Sequence, residues 1–239
     1  MRLPVLVMTP HSSSHLPPQI LAEMLGPNFL NETARNHRQR WLFHENDPFT
    51  DIIFQLEGAY NLHALVNRFV VDLNRPRDYG GDNGVIKLTD FECRPLYPPS
   101  FELNASSREE RLRRYWDSFY RDINALIQED IRLSITGHSM SPSAPKIAPD
   151  ADTTLRPALS MMTSGDLSGD PINGRHLSLP KDLALAFRDL LAKHFAEIIA
   201  KSDVPDEVLM NSPWDVDSLS HYVSDPKQSK RIPALWHRA

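Results

Sequence analysis

Cysteine is nearly missing from this chain of 239 residues. Cys93 stands alone, so no internal disulfide can form, and a reducing, cytoplasmic setting is expected. Glycine is scarce too, with nine residues against twenty prolines, which predicts many rigid loops. No apolar run approaches the roughly 20 residues a membrane-spanning helix needs. The opening MRLPVLVMTPH is too short for a signal-peptide core and lacks a small-residue cleavage site. Basic charge is not in excess either. The net charge is −5 and no dense Lys/Arg stripe occurs, so neither nucleic acid nor a membrane is the expected partner. What is present in quantity is apolar: hydrophobic residues make up 41% of the chain. That composition suits a folded globular protein, and the length suits one large α/β domain, residues 1–239, with a well-buried core.

Strand-like and helix-like patterns alternate along the chain, which argues for an α/β sandwich. Residues 3–9 read as a buried strand, and 16–25 carry helical spacing with Ile20, Leu21, Met24 and Leu25 on one side. The polar stretch 28–46 reads as surface helix and loop. A further helix is expected from Asp47, with Asp47 as N-cap, Pro48 in the first turn and a buried stripe of Phe49, Ile52, Ile53 and Leu56. The β-branched segment 65–76 reads as a buried strand ended by Pro76. Residues 77–106 form a long loop, and loops of that length often cover active sites. The clearest helix spans 107–130, with Leu112, Tyr115, Trp116, Phe119, Ile123, Leu126 and Ile127 inward. Ile131, Leu133 and Ile135 alternate into Gly137-His138-Ser139 as a strand. Residues 141–157 read as a mobile loop, SMMTSGDLSG as a strand end, 180–201 as a helix with Leu183, Phe187, Leu190, Leu191 and Ile198 inward, and 207–211 as a further strand.

Three polar sites stand at strand ends or just before a helix: His11 in PHSSSHLP, the Glu45/Asp47 pair in HENDPF, and His138 in ITGHSM. Imidazole nitrogen and carboxylate oxygen are natural zinc ligands, and a catalytic zinc takes about three of them plus an open position. Two histidines and one carboxylate meet that need. Each alone has a plainer reading, because a loop histidine is usually solvated and an Asp before Pro is usually a helix cap. Arg68 and Arg75 flank FVVDLN. Guanidinium forks suit carboxylates, so the pair suits a small acidic substrate. The structural alternative is that Arg75 pairs with Asp72 or a neighbouring acid and pins the end of the strand.

Taken in order, PHSSSHLP, HENDPFTDIIFQLEGA, NRFVVDLNRP, ECRPLYPP, RRYWDSFYRDI and ITGHSM resemble the N-formylglutamate amidohydrolase family. The likeness covers most of residues 5–140 and thins beyond, where SGDLSGDP and LMNSPW are similar to later family segments. The resemblance implies a zinc-carboxypeptidase-like fold, a three-layer α/β sandwich with a central mixed sheet and helices on both faces. It implies a zinc ion, or another divalent metal, held by His11, Asp47 and His138, with Glu45 as rival for the acidic position and His15 nearby without ligating. It also implies substrate binding by Arg68 and Arg75, and hydrolysis of an amide in a small N-acyl amino acid such as N-formylglutamate. Monomer and homo-oligomer both stay open.

The chain departs from the family pattern in several places. Thr136 stands where the family has an Asp two residues before the ligand histidine, Tyr120 replaces a His, and Ser13 replaces a Gly. The final RIPALWHRA has Trp236, His237 and Arg238 where the family's last motif carries a Glu expected to act as general base. The general base is therefore unassigned, with Glu45 as one candidate if Asp47 holds the metal. A family member that binds an anionic ligand or a partner without turnover is the alternative expectation.

Overall fold

The computed structural model describes residues 2–141, 146, 159–200, 218–225, 227 and 232–238, for some of them the backbone alone. The expected strand at 207–211, the LMNSPW segment and nearly all of the 141–157 loop lie outside these residues. Two units can be drawn, one of Met1–Met8, Leu56–Asn61 and Leu126–Ala239, the other of Thr9–Gln55 and Leu62–Ala125.

The chain forms a mixed sheet. Its strands are β1 (Val5–Thr9), β2 (Tyr60–His63), β3 (Leu133–His138), β4 (Ser160–Met162) and β5 (Ala234–Arg238), in the order β2-β1-β3-β5-β4. β1 runs parallel to β3, with Val5 opposite Leu133 and Met8 opposite Thr136. β5 runs parallel to β3 on its other side, and β4 closes that edge antiparallel. Parallel strands buried on both faces read as continuous apolar runs, and Leu6, Val7 and Met8 are buried accordingly. Because β1 and β3 are parallel, the chain leaves both at the same edge of the sheet, where α/β proteins place their ligands.

The C-terminal helical region is α6 (Lys181–His194) followed by α7 (Ala196–Ala200), with α8 at Ser218–Ser224. The inward stripe of α6 differs from expectation. Leu183 and Leu190 are 48% and 52% exposed. Phe187 and Leu191 do pack inward, but with Ala184 and Leu185 beside them, against Leu159, Met161 and Leu179. The stripe is rotated toward Ala184, a small residue that lets the helix approach.

The second unit holds α1 (Pro18–Leu25), α2 (Glu32–His44), α3 (Thr50–Ile53), α4 (Ala105–Arg111) and α5 (Asp117–Leu126). Asn31 caps α2 by accepting from the Ala34 amide, and Asn104 caps α4 from the Ser107 amide. A π turn at Leu112–Trp116 joins α4 to α5, so the expected long helix exists with one widened turn. α1 buries the four residues its spacing picks out.

Two expectations fail here. The helix from Asp47 is a single turn. Phe49 starts it in a left-handed conformation, φ 65°, and Asp47 contributes its carbonyl, which accepts from Thr50 Oγ1 at 2.8 Å, rather than a side-chain cap. Its supposed buried stripe is out in solvent: Phe49, Ile52, Ile53 and Leu56 are 57%, 66%, 57% and 37% exposed. Residues 65–76 are not a strand either, although Val66, Phe69, Val70, Val71 and Leu73 are all buried. Polar side chains take the amides that a ladder would have used. Asn67 Oδ1 accepts from the Phe69 amide and Asp72 Oδ1 from the Asn74 amide, giving side-chain-closed turns that compete with sheet.

Candidate metal and substrate site

His11 follows β1 after Pro10 and is 1% exposed. Its two ring nitrogens face two different carboxylates. Nε2 lies 2.7 Å from Asp72 Oδ1 and Nδ1 lies 3.3 Å from Asp47 Oδ2. Burial is the main force pushing its pKa down, helped by the Arg68 charge and opposed by Asp72 and Asp47. A neutral imidazole follows, the form that can ligate a metal. Both ring nitrogens are within hydrogen-bond reach of a carboxylate, and the shorter contact favours a ring proton on Nε2, donated to Asp72.

Asp47 is 3% exposed, and its backbone amide donates to the His11 carbonyl at 3.3 Å. Arg68 bridges both acids, with Nη1 on Asp47 Oδ1 and Nη2 on Asp72 Oδ2, each at 3.2 Å. Lys87 lies 3.0 Å from Asp72 Oδ2, and both side chains have 0% exposure. Burial by itself would raise the Asp72 carboxyl, but Lys87, Arg68 and His11 outweigh it and hold it well below the usual carboxylate range. The Arg68 guanidinium lies over the Phe91 ring as a cation–π pair, 4.8 Å to the centroid.

His138 ends β3 and is 3% exposed. One ligand atom each from His11, Asp47 and His138 lie within 4.8 Å of one another, and this buried group could hold a metal ion. The donor set fits zinc, which takes imidazole nitrogen and carboxylate oxygen. A carboxylate behind a ligand imidazole, as Asp72 stands behind His11, is the usual outer support of such sites.

The other sequence-derived residues divide. Glu45 is outside that group. Its carboxylate lies 3.7 Å from Arg94, and burial and Asp90 raise its pKa. His15 is exposed and offers its carbonyl to the Asn67 amide. Arg68 holds Asp47 and Asp72 as described. Arg75 does not pair with Asp72, as the structural alternative expected; Arg68 and Lys87 take that role. Among the described residues Arg75 has no carboxylate partner, only a 3.4 Å contact to the Asn74 carbonyl. Its guanidinium lies 6.0 Å from the Tyr79 ring centroid, and its buried Nε has no hydrogen-bond partner. Tyr120 donates to the Leu73 carbonyl at 3.1 Å, and Trp116 donates to the Arg75 carbonyl at 2.9 Å. These two stacked rings, 3.8 Å apart, fix the backbone that carries Arg75. Thr136 meets Ser220, hydroxyl to hydroxyl, at 3.2 Å.

Sequence reading missed Asp72 as the partner of His11 and missed Lys87 altogether. A signal was available. Val85-Ile86-Lys87-Leu88 is an apolar run inside a polar loop, and a lysine in such a run needs a buried acceptor.

An N-formylglutamate deformylase of Pseudomonas aeruginosa is 31% identical over 128 residues, which are 51% of this chain and 44% of that protein, so the aligned part spans under half of the relative. A crystal structure of N-formylglutamate amidohydrolase from Ralstonia eutropha matches 99% of this chain and 81% of its own at TM-score 0.66 and 16% identity. A gene product of Agrobacterium tumefaciens matches 98% and 79% at TM-score 0.57, also with 16% identity. At those identities the solved structures speak for the fold. Residues 3–235 match the family described as N-formylglutamate amidohydrolase, and the chain belongs to that family.

Proposed function

We propose that this protein is a metal-dependent hydrolase of the amide bond in a small N-acyl amino acid of the N-formylglutamate kind. The observation that carries the reading is the buried group of His11, Asp47 and His138, whose ligand atoms lie within 4.8 Å of one another. Family membership and the deformylase relative support the same chemistry. In this reading residues 1–239 act as one catalytic domain with a three-layer, carboxypeptidase-like arrangement in a cytoplasmic setting. No helix among the described residues is long and apolar enough to cross a membrane.

The three residues would hold a zinc ion, which supplies Lewis acidity toward an amide carbonyl and acidifies water when bound. The chain's own groups do the rest. Arg68 fixes Asp47 through its Oδ1. Asp72 keeps the His11 ring in one tautomer. Arg75, with no acidic partner among the described residues, is the principal anchor for the substrate carboxylate, and a guanidinium fork matches that shape. Arg68, whose Nη1 and Nη2 are taken by Asp47 and Asp72, has only its Nε left to join it.

The test is direct. Protein purified from zinc-replete medium should carry close to one metal per chain and release formate from N-formylglutamate, and His11→Ala with His138→Ala should lose both. Metal-free wild-type protein that cannot be reloaded would sink the reading. The alternative, a family member that binds an acidic ligand without turnover, is favoured by one feature, the Trp236-His237-Arg238 ending where the family carries its Glu. Thermal stabilisation by N-acyl glutamates without hydrolysis at any pH would select it.

A further inference from the structure

We propose that Lys87 is a positioning residue for the metal centre: its buried amine, reaching Asp72 from the loop that follows Arg75, fixes the Asp72 carboxylate and through it the His11 ring. The inference rests on the proposed function for its link to a metal, and on Asp72 geometry for everything else.

Asp72 has four donors and no spare direction. Oδ1 accepts from His11 Nε2 at 2.7 Å and from the Asn74 amide at 3.0 Å. Oδ2 accepts from Lys87 Nζ at 3.0 Å and from Arg68 Nη2 at 3.2 Å. Remove one donor on the Oδ2 side and the carboxylate has reason to rotate toward those that remain, which shifts the oxygen that holds His11. Lys87 is itself held. Asn83 Oδ1 accepts a short hydrogen bond from Nζ, and Nζ lies 5.6 Å from the centroid of the Phe91 ring. The loop is tied at a second point, where the Asp72 amide donates to the Val85 carbonyl at 2.7 Å. A long lysine stem is costly to order and costly to bury without partners. Placing it at 0% exposure makes sense where the amine has a fixed target.

Lys87 is not one of the proposed metal ligands, and its contact with His11 runs through Asp72. It acts two hydrogen bonds away from the ligand atom, by orienting the group that orients the ligand. The plain alternative is a staple that holds the loop down and leaves His11 unaffected. The two differ in what the His11 ring reports.

The experiment compares wild type, Lys87→Met, Asn83→Ala and Asp72→Asn as full-length proteins. In metal-free wild type labelled with 15N-histidine, the His11 ring should show a single tautomer, protonated at Nε2. In Lys87→Met the ring signals should shift toward a mixture of tautomers, and Asn83→Ala, which loosens the amine without removing it, should shift them part of the way. Zinc affinity measured against a chromophoric chelator should fall about tenfold in Lys87→Met. The same substitution should add little in the Asp72→Asn background, because both act through one carboxylate. KM for an N-acyl amino acid should stay within about twofold, since removing an interaction made away from the substrate spares uniform binding. Unchanged His11 signals in a folded Lys87→Met or Asn83→Ala protein would overturn the proposal, as would fully additive losses with Asp72→Asn. If wild type holds no divalent metal, the proposed function fails, and the His11 ring signals still decide the role of Lys87.

Discussion

Arg68 and Arg75 are the same residue type on one segment, and their surroundings give them different work. Arg68 is committed to Asp47 and Asp72 through separate nitrogens, whereas Arg75 has no carboxylate among the described residues; the buried Nε of each has no hydrogen-bond partner. Replacing each by Met should therefore fail in different ways. Arg75→Met should fold like wild type and raise KM for an acidic substrate about 10- to 100-fold, the worth of a lost charge-assisted hydrogen bond. Its kcat should change far less, and steady-state kinetics with acidic and neutral N-acyl amino acids would show the loss confined to the acidic ones. Arg68→Met leaves two buried aspartates short of a counter-charge. Breaking a buried pair from one side costs about 3–5 kcal/mol, and urea unfolding of the metal-free protein should show a loss of that order. A purely substrate-binding Arg68 would leave metal-free stability near wild type.

At the scale of elements, the question is which signals survive folding. β1, β3 and α1 were legible because their apolar spacing matches what the fold buries: Leu6, Val7 and Met8 on one, Ile20, Leu21, Met24 and Leu25 on another. The 65–76 segment misled because Phe69, Val70 and Val71 look like a strand, while Asn67 and Asp72 decide the backbone by capturing local amides. α3 misled because helical spacing in Phe49, Ile52 and Ile53 says nothing about length. A left-handed start at Phe49 and an end at Ile53 leave one turn, too short to present a buried stripe. Ile52→Ser with Ile53→Ser should accordingly alter unfolding free energy by no more than about 0.5 kcal/mol each, the range of surface changes, measured by urea denaturation. His11 and His138 were legible as polar residues at strand ends, and Asp47 as one just before a helix. The Asp72–Lys87 pair was not, because no spacing rule links the end of one turn to the middle of a loop. The loop has its own test at Gly84. A Cβ there would meet the Tyr79 carbonyl oxygen at 2.7 Å and Gly80 backbone at 2.8 Å. Gly84→Ala should displace the loop, and the His11 ring signals should move as they do in Lys87→Met.

The whole molecule registers the buried cluster through its response to pH. Burial pushes the Lys87 ammonium down from its model-peptide value of 10.5 to about 7, with Arg68 and Arg75 adding to the fall and Asp72 and its hydrogen bond opposing it. Between those two values the unfolded chain binds a proton at Lys87 that the folded chain has released. Stability rises with pH wherever the unfolded state binds more protons, so this lysine contributes a stability that grows from about pH 7 upward and is complete only near its unfolded pKa. Asp72 has the same sign of linkage in a lower pH window. Its folded carboxyl lies well below its ordinary 3.8, so its contribution is present throughout the neutral and alkaline range and is lost only in acid. Tyr97, pushed up by burial, would subtract stability above its ordinary pKa and confines a clean measurement to the window below about pH 9.5. Within that window the difference in unfolding free energy between wild type and Lys87→Met should shift in favour of wild type as pH rises from about 7. Parallel curves would mean that the folded protein keeps the Lys87 proton across the window, and that Asp72 faces a permanent ammonium. The neutral amine still donates N–H to Asp72, so the positioning of His11 persists across the same range while the charge beside it declines.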